Sequence, residues 1–141
     1  MKVRFKMLAV AMAVLTLLLC MAVPIQAAVV EPDVEPNWQN TAAINLTMVF
    51  PDDGYGYAEA SVIGEVGVNK IVVDIYVYRQ VGDSWVLVGE QHETHYNSFA
   101  LVSCRFNAFN RAYYKAHHIF TVTRNNTDEI LSETQYRTCS R

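Results

Sequence analysis

Apolar and polar residues alternate with period two through most of this chain, and turn-forming residues break the alternation about every 10 to 15 residues. A period of two sends successive side chains to opposite faces of an extended strand, whereas a helix needs a period near 3.6. No stretch from residue 43 onward carries the helical spacing, so this part of the chain is expected to fold as short strands joined by tight turns.

The strands can be read one by one. Residues 44–50 place Ile44, Leu46, Met48 and Phe50 on one face, with Asn45 and Thr47 on the other. Pro51-Asp52-Asp53-Gly54 then turns the chain, since proline fixes φ and glycine accepts a positive one. A second strand covers 55–63, and 64–69 connects it to a third with Ile71, Val73, Ile75 and Val77 on its buried face. Gly82-Asp83 closes a hairpin into 85–89. A fifth strand, 99–106, points Ala100, Val102, Cys104 and Phe106 inward. The sixth, 113–123, does the same with Tyr114, Ala116, His118, Phe120 and Val122. Asn125-Asn126 leads into a seventh at 130–138. Seven short strands with hairpin-length loops predict an all-β fold, a seven-stranded immunoglobulin-like antiparallel β-sandwich. A small closed barrel has the same meter and stays open as the alternative.

The sequence in front of this domain is of another kind. Lys2, Arg4 and Lys6 precede an apolar run over 7–23 that is broken only by Thr16, and Pro24 stands before a small residue at Ala27. That is the layout of a cleaved signal peptide over 1–27. A run of 17 residues falls short of the roughly 20 wanted by a membrane anchor, and Leu19 before Cys20 is unsuited to a lipoprotein. The expected product is secreted, with no stable membrane span after cleavage. Residues 28–42, with Glu31, Asp33, Glu35, Pro32 and Pro36, read as an extended acidic arm, and 43–141 as the sandwich domain. The leader holds three of the 11 basic residues and none of the 14 acidic ones, which leaves eight against 14, a net −6. No basic run remains, which excludes nucleic acid as a partner and argues against anionic membranes. Cleavage also leaves two cysteines, Cys104 and Cys139. An even pair in an exported chain predicts a disulfide, with two free thiols as the alternative. Closing a loop of 36 residues would contribute roughly 3.5–4 kcal/mol.

Two resemblances add to this reading. Asn110-x-Ala112-x-Tyr114-x-Ala116 looks like the tyrosine-corner segment of immunoglobulin domains, with Asn for Asp and Ala for Cys. More broadly, Ala60-x-Val62-x-Gly64, Lys70-Ile71, Ile75-Tyr76-x-Tyr78 and Ser84-Trp85-x-x-Val88 resemble an uncharacterised family of small secreted β-sandwich proteins of Gram-positive bacteria. Ser103-Cys104, Tyr114-Lys115-Ala116, Thr121-Val122-Thr123 and Glu133 continue the pattern. The resemblance implies a compartment and an architecture, and no chemistry.

Chemistry-bearing constellations are few. His92-Glu93-Thr94-His95 suggests a metal-dependent hydrolase, but the zincin motif needs His at i and i+4 on a helix. Here the spacing is i+3, and the segment reads as a loop with no third ligand. His117 and His118 are adjacent on a strand and face opposite ways, His118 as a hydrogen-bonded core residue. Asp52-Asp53-Gly54 matches no calcium loop. No serine or cysteine has the setting of a nucleophile and no glycine-rich loop could cradle a phosphate, so neither catalysis nor a cofactor is expected. The outward residues of strands three and six, Tyr76, Tyr78, Tyr113, His117 and Ile119, form the candidate binding surface, aromatic with a few polar groups. The expected role is non-catalytic recognition of a protein or glycan at or outside the cell envelope. A secreted inhibitor or effector on the same scaffold is the alternative to it.

Overall fold

The computed structural model describes residues 38–140, which belong to the compact unit Pro36–Arg141. The signal peptide expected at 1–27 and the arm from 28 to 37 lie outside the described residues. Seven strands follow in order: β1 (Thr41–Val49), β2 (Tyr55–Gly64), β3 (Val68–Val81), β4 (Ser84–His95), β5 (Phe99–Asn107), β6 (Tyr113–Arg124) and β7 (Thr127–Thr138). They form two antiparallel sheets, one in the order β1-β2-β5 and one in the order β4-β3-β6-β7. The sheets pack face to face, β5 against β4 at one flank and β1 against β7 at the other. Two sheets with separate edges make an immunoglobulin-like sandwich, not a barrel.

Alternation decides what fills the space between the sheets. Ile71, Val73, Ile75 and Val77 of β3 are fully buried, as are Ala58, Ala60 and Val62 of β2 and Tyr114, Ala116, Phe120 and Val122 of β6. β5 alternates without a break, burying Ala100, Val102, Cys104 and Phe106. Each large aliphatic side chain so buried stabilises the fold by about 1.5–3 kcal/mol. One end of the core is aromatic: the Phe106 ring lies 5.1 Å from Tyr114 and 6.1 Å from Phe50, centroid to centroid. Gly56 makes room for it, because a Cβ there would come within 2.4 Å of the Phe106 ring.

Turn chemistry matches the strand ends. Asn125 and Asn126 both take positive φ (51° and 59°) in the two-residue loop from Arg124 to Thr127. That geometry follows the strand twist, and asparagine tolerates it. The tyrosine corner is present: the Phe109 amide donates to the Tyr114 hydroxyl at 2.8 Å, which fixes the crossing from β5 to β6.

Three expectations need correction. β1 begins at Thr41, so Thr41 and Ala42 belong to the sandwich and not to the arm; Thr41 is buried. β4 continues to His95, so residues 90–95 are strand and not loop. Polar residues fill both of its faces there, which an edge strand tolerates. Third, Cys104 and Cys139 are not bridged; both are buried free thiols. Cys104 lies on the β5 flank, within reach of Gly89 on β4. Cys139 continues β7, its amide donating to the Ala112 carbonyl. β4 and β7 are opposite edges of one sheet, three strand spacings or roughly 14 Å apart. A disulfide needs Cα atoms within about 6.8 Å. The two cysteines share a pole of the sandwich but not a flank.

Candidate functional site

Residues of the β4-β3-β6-β7 sheet that point away from the core form ordered rows across its outer face. Leu87, Tyr78, Lys115 and Tyr136 stand side by side from β4 to β7. The next row is Glu90, Tyr76, His117 and Thr134, followed by His92, Asp74, Ile119 and Ser132. All five residues of the expected surface, Tyr76, Tyr78, Tyr113, His117 and Ile119, therefore lie on one face. They are not equally open. Tyr76 and Tyr78 are half-buried in the middle of β3, as are His117 and Ile119 in β6, whereas Tyr113 at the start of β6 is exposed.

The densest part is at the Tyr113 end. Trp85 of β4 lies 5.8 Å from Tyr113 and 6.1 Å from Tyr136, and Tyr113 and Tyr136 stack at 6.0 Å with an interplanar angle of 21°. Lys115 extends over this cluster, its Nζ 4.7 Å from the Tyr78 ring centroid and 4.8 Å from that of Trp85. Such cation–π contacts hold an ammonium in place while leaving it open to water. Beside the rings, Tyr78, Lys115, His117, Thr134 and Tyr136 line a shallow depression of about 260 Å³. His117 Nδ1 is 3.0 Å from the Thr134 hydroxyl, and its Nε2 is 3.5 Å from that of Ser132.

Sequence reasoning named neither Trp85 nor Tyr136 as part of this face. Both carried a signal: the hairpins at Gly82-Asp83 and Asn125-Asn126 place strands four and seven on either side of three and six, which brings their outward aromatics alongside.

The His92-Glu93-Thr94-His95 segment does not bring its two histidines together. In strand β4, residues three apart face opposite ways. His92 bonds Asp74 on the outer face, while His95 Nε2 lies 3.2 Å from Glu93 Oε2 on the inner side of the edge. Among the described residues no three His, Cys, Asp or Glu side chains are grouped to hold a metal ion. Asp53 serves its turn, accepting from the Tyr55 amide at 2.9 Å.

Burial shifts the titration of His118 and Cys104 in the core beneath this sheet. His118 is fully buried, stacked on Phe120 at 6.2 Å, and neither ring nitrogen has a hydrogen-bond partner, contrary to expectation. Burial lowers its pKa to about 4, the Glu133 backbone opposite offsetting part of that effect and His117 adding to it. Burial, and then the nearby Glu90 charge, raises the Cys104 thiol to about 11, so it stays protonated and unreactive.

No family model and no curated protein matches this chain. Among solved structures it is similar to a protein from Archaeoglobus fulgidus, at 15% identity over 72% of this chain and 98% of that one, with a TM-score of 0.40. It is similar to murine CRIg at 11% identity over 70% of this chain and 97% of that one, with a TM-score of 0.41. It is also similar to part of a glycosyl hydrolase family 2 member from Bacteroides cellulosilyticus, at 9% identity over 72% of this chain but 16% of that one, with a TM-score of 0.35. The immunoglobulin-like assignment rests on this chain's own strand order and register.

Proposed function

We propose that this protein is a non-catalytic recognition domain that works outside the cytoplasm and binds a protein or glycan through the outer face of its four-stranded sheet. The observation that carries the reading is the meeting of Trp85, Tyr113 and Tyr136 within about 6 Å of one another at an open end of the sheet. Tyr113 and Tyr136 are 39% and 53% exposed. Aromatics of this kind concentrate binding energy where they are clustered and rigid. The leader over 1–27 supports export, and the acidic balance of the remaining chain supports a partner other than nucleic acid.

The test compares the two faces of the sandwich. The purified chain is immobilised and exposed to solubilised envelope proteins and glycans, beside a Tyr113→Ser/Tyr136→Ser variant and a Leu101→Ser variant. Leu101 is exposed on the opposite sheet. Binding lost in the double variant and kept in Leu101→Ser, at unchanged melting temperature, is the expected result. Equal binding by all three chains would place recognition elsewhere.

A further inference from the structure

We infer that the Trp85–Tyr113–Tyr136 cluster takes a pyranose ring bearing a carboxylate, the chemistry of a uronic acid, with Lys115 holding the acid group. This deepens the recognition reading and rests on it.

Three features of the cluster point to that ligand. The rings are held against one another at the surface and not in the core, which gives a rigid apolar platform. A pyranose offers one face of C–H bonds to such a platform, while its hydroxyls stay free for polar partners. Those partners are present at the rim: the Thr134 hydroxyl and the His117 imidazole line the same depression as Tyr78 and Tyr136. The depression adjoins the cluster through Tyr136, without being lined by Trp85 or Tyr113, and at about 260 Å³ has room for a single sugar ring seated against the Tyr136 ring.

Charge then narrows the class. Lys115 sets its ammonium at the edge of the platform, already oriented by the Tyr78 and Trp85 rings, so little side-chain freedom is lost when an anion arrives. The same face carries Glu90 in the next row and Asp74 in the row beyond, and the chain from residue 28 onward has net charge −6. Lys115 with these carboxylates nearby suits a single negative charge and repels polyanions. A neutral sugar would leave the ammonium without an ionic partner, and a phosphorylated or nucleic-acid ligand would bring more charge than the site can balance. An acidic peptide could meet Lys115, but it has no ring to cover the platform.

The experiment titrates the purified chain, by ¹H–¹⁵N NMR and calorimetry, with the methyl glycosides of glucuronic, galacturonic and mannuronic acid, each bearing one carboxylate. The corresponding neutral methyl glycosides, with the carboxylate reduced to an alcohol, and a hexaglutamate peptide serve as comparisons. At least one uronate is expected to shift the Trp85 indole, Tyr113, Lys115 and Tyr136 signals and to bind tenfold or more tighter than its reduced form. Lys115→Gln and Tyr136→Ser should each weaken it at least tenfold, Lys115→Arg should restore most of the affinity, and Arg105→Gln on the opposite sheet should leave it unchanged. Tyr136 stands exposed on an edge strand, so its replacement leaves the fold intact. Binding by none of the three uronates, equal binding of reduced and acidic forms, or equal binding of hexaglutamate would overturn the assignment. If it falls while the two-face comparison still shows loss of binding in Tyr113→Ser/Tyr136→Ser, the recognition face stands and only its ligand class is wrong.

Discussion

His118 shows how one side chain can set the acid sensitivity of the fold. It is fully enclosed beside Phe120 with both ring nitrogens unpartnered, so folding requires the neutral imidazole. Its pKa falls from 6.5 when exposed to about 4 in the folded state. Between those two values the unfolded chain binds a proton that the folded one refuses. The stability contributed by this residue is therefore complete above pH 6.5 and declines as the pH falls toward 4, by roughly 3 kcal/mol in all. Below that both states are protonated and no more is lost from this group. Urea midpoints measured at pH 7, 5 and 4 should fall steeply in the wild type and much less in His118→Leu, which keeps the volume and removes the titration. Parallel pH dependence in the two chains would show that the loss arises elsewhere. Buried polar atoms without partners are costly, so the leucine variant is also expected to be no less stable at pH 7.

At the scale of elements, the start of β1 is held by side chains and not only by the sheet. The Glu129 carboxylate on β7 accepts from the amides of Gln39 and Asn40 and from the Thr41 hydroxyl at 2.7 Å. Burial alone would raise its pKa, but these hydrogen bonds outweigh it and hold the group below its ordinary range. Asn40 completes the clamp, its Nδ2 donating to the carbonyls of Val122 and Thr127 at 3.0 and 3.1 Å. The clamp ties residues 39–41 to the β6–β7 hairpin, on the flank where β1 faces β7. Hydrogen bonds to a charged acceptor contribute about 1.5–3 kcal/mol each. Glu129→Ala should therefore speed amide exchange at Gln39, Asn40 and Thr41 at least tenfold and leave the β3–β6 ladder protected. Uniformly faster exchange across both sheets would mean that the clamp supports the whole fold and not one edge.

For the molecule as a whole, the sandwich is held by its core without a covalent cross-link. Opposite flanks keep Cys104 and Cys139 apart, so reductant should not lower the melting temperature. Intact mass of natively purified protein should match two thiols, and both should resist alkylation until the chain unfolds. A mass lower by two hydrogen atoms together with a lower melting temperature in reductant would restore the disulfide.

The strand count, the inward faces of β1, β3, β5 and β6 and the hairpin turns were legible in the sequence, because pleat and turn chemistry are local. Ile71 to Val77 and Ala100 to Phe106 declare their buried face by alternation, and Asn125-Asn126 declares its turn by tolerance of positive φ. The second half of β4 was not legible, since an edge strand is free to carry polar residues on both faces and loses the signal. Nor could spacing alone place Cys139, because a shared pole says nothing about which flank a strand occupies. The order of strands across two sheets is a long-range choice made by packing. That choice decided that two thiols stay apart and that Trp85, Lys115 and Tyr136, drawn from three different strands, meet at one end of one face.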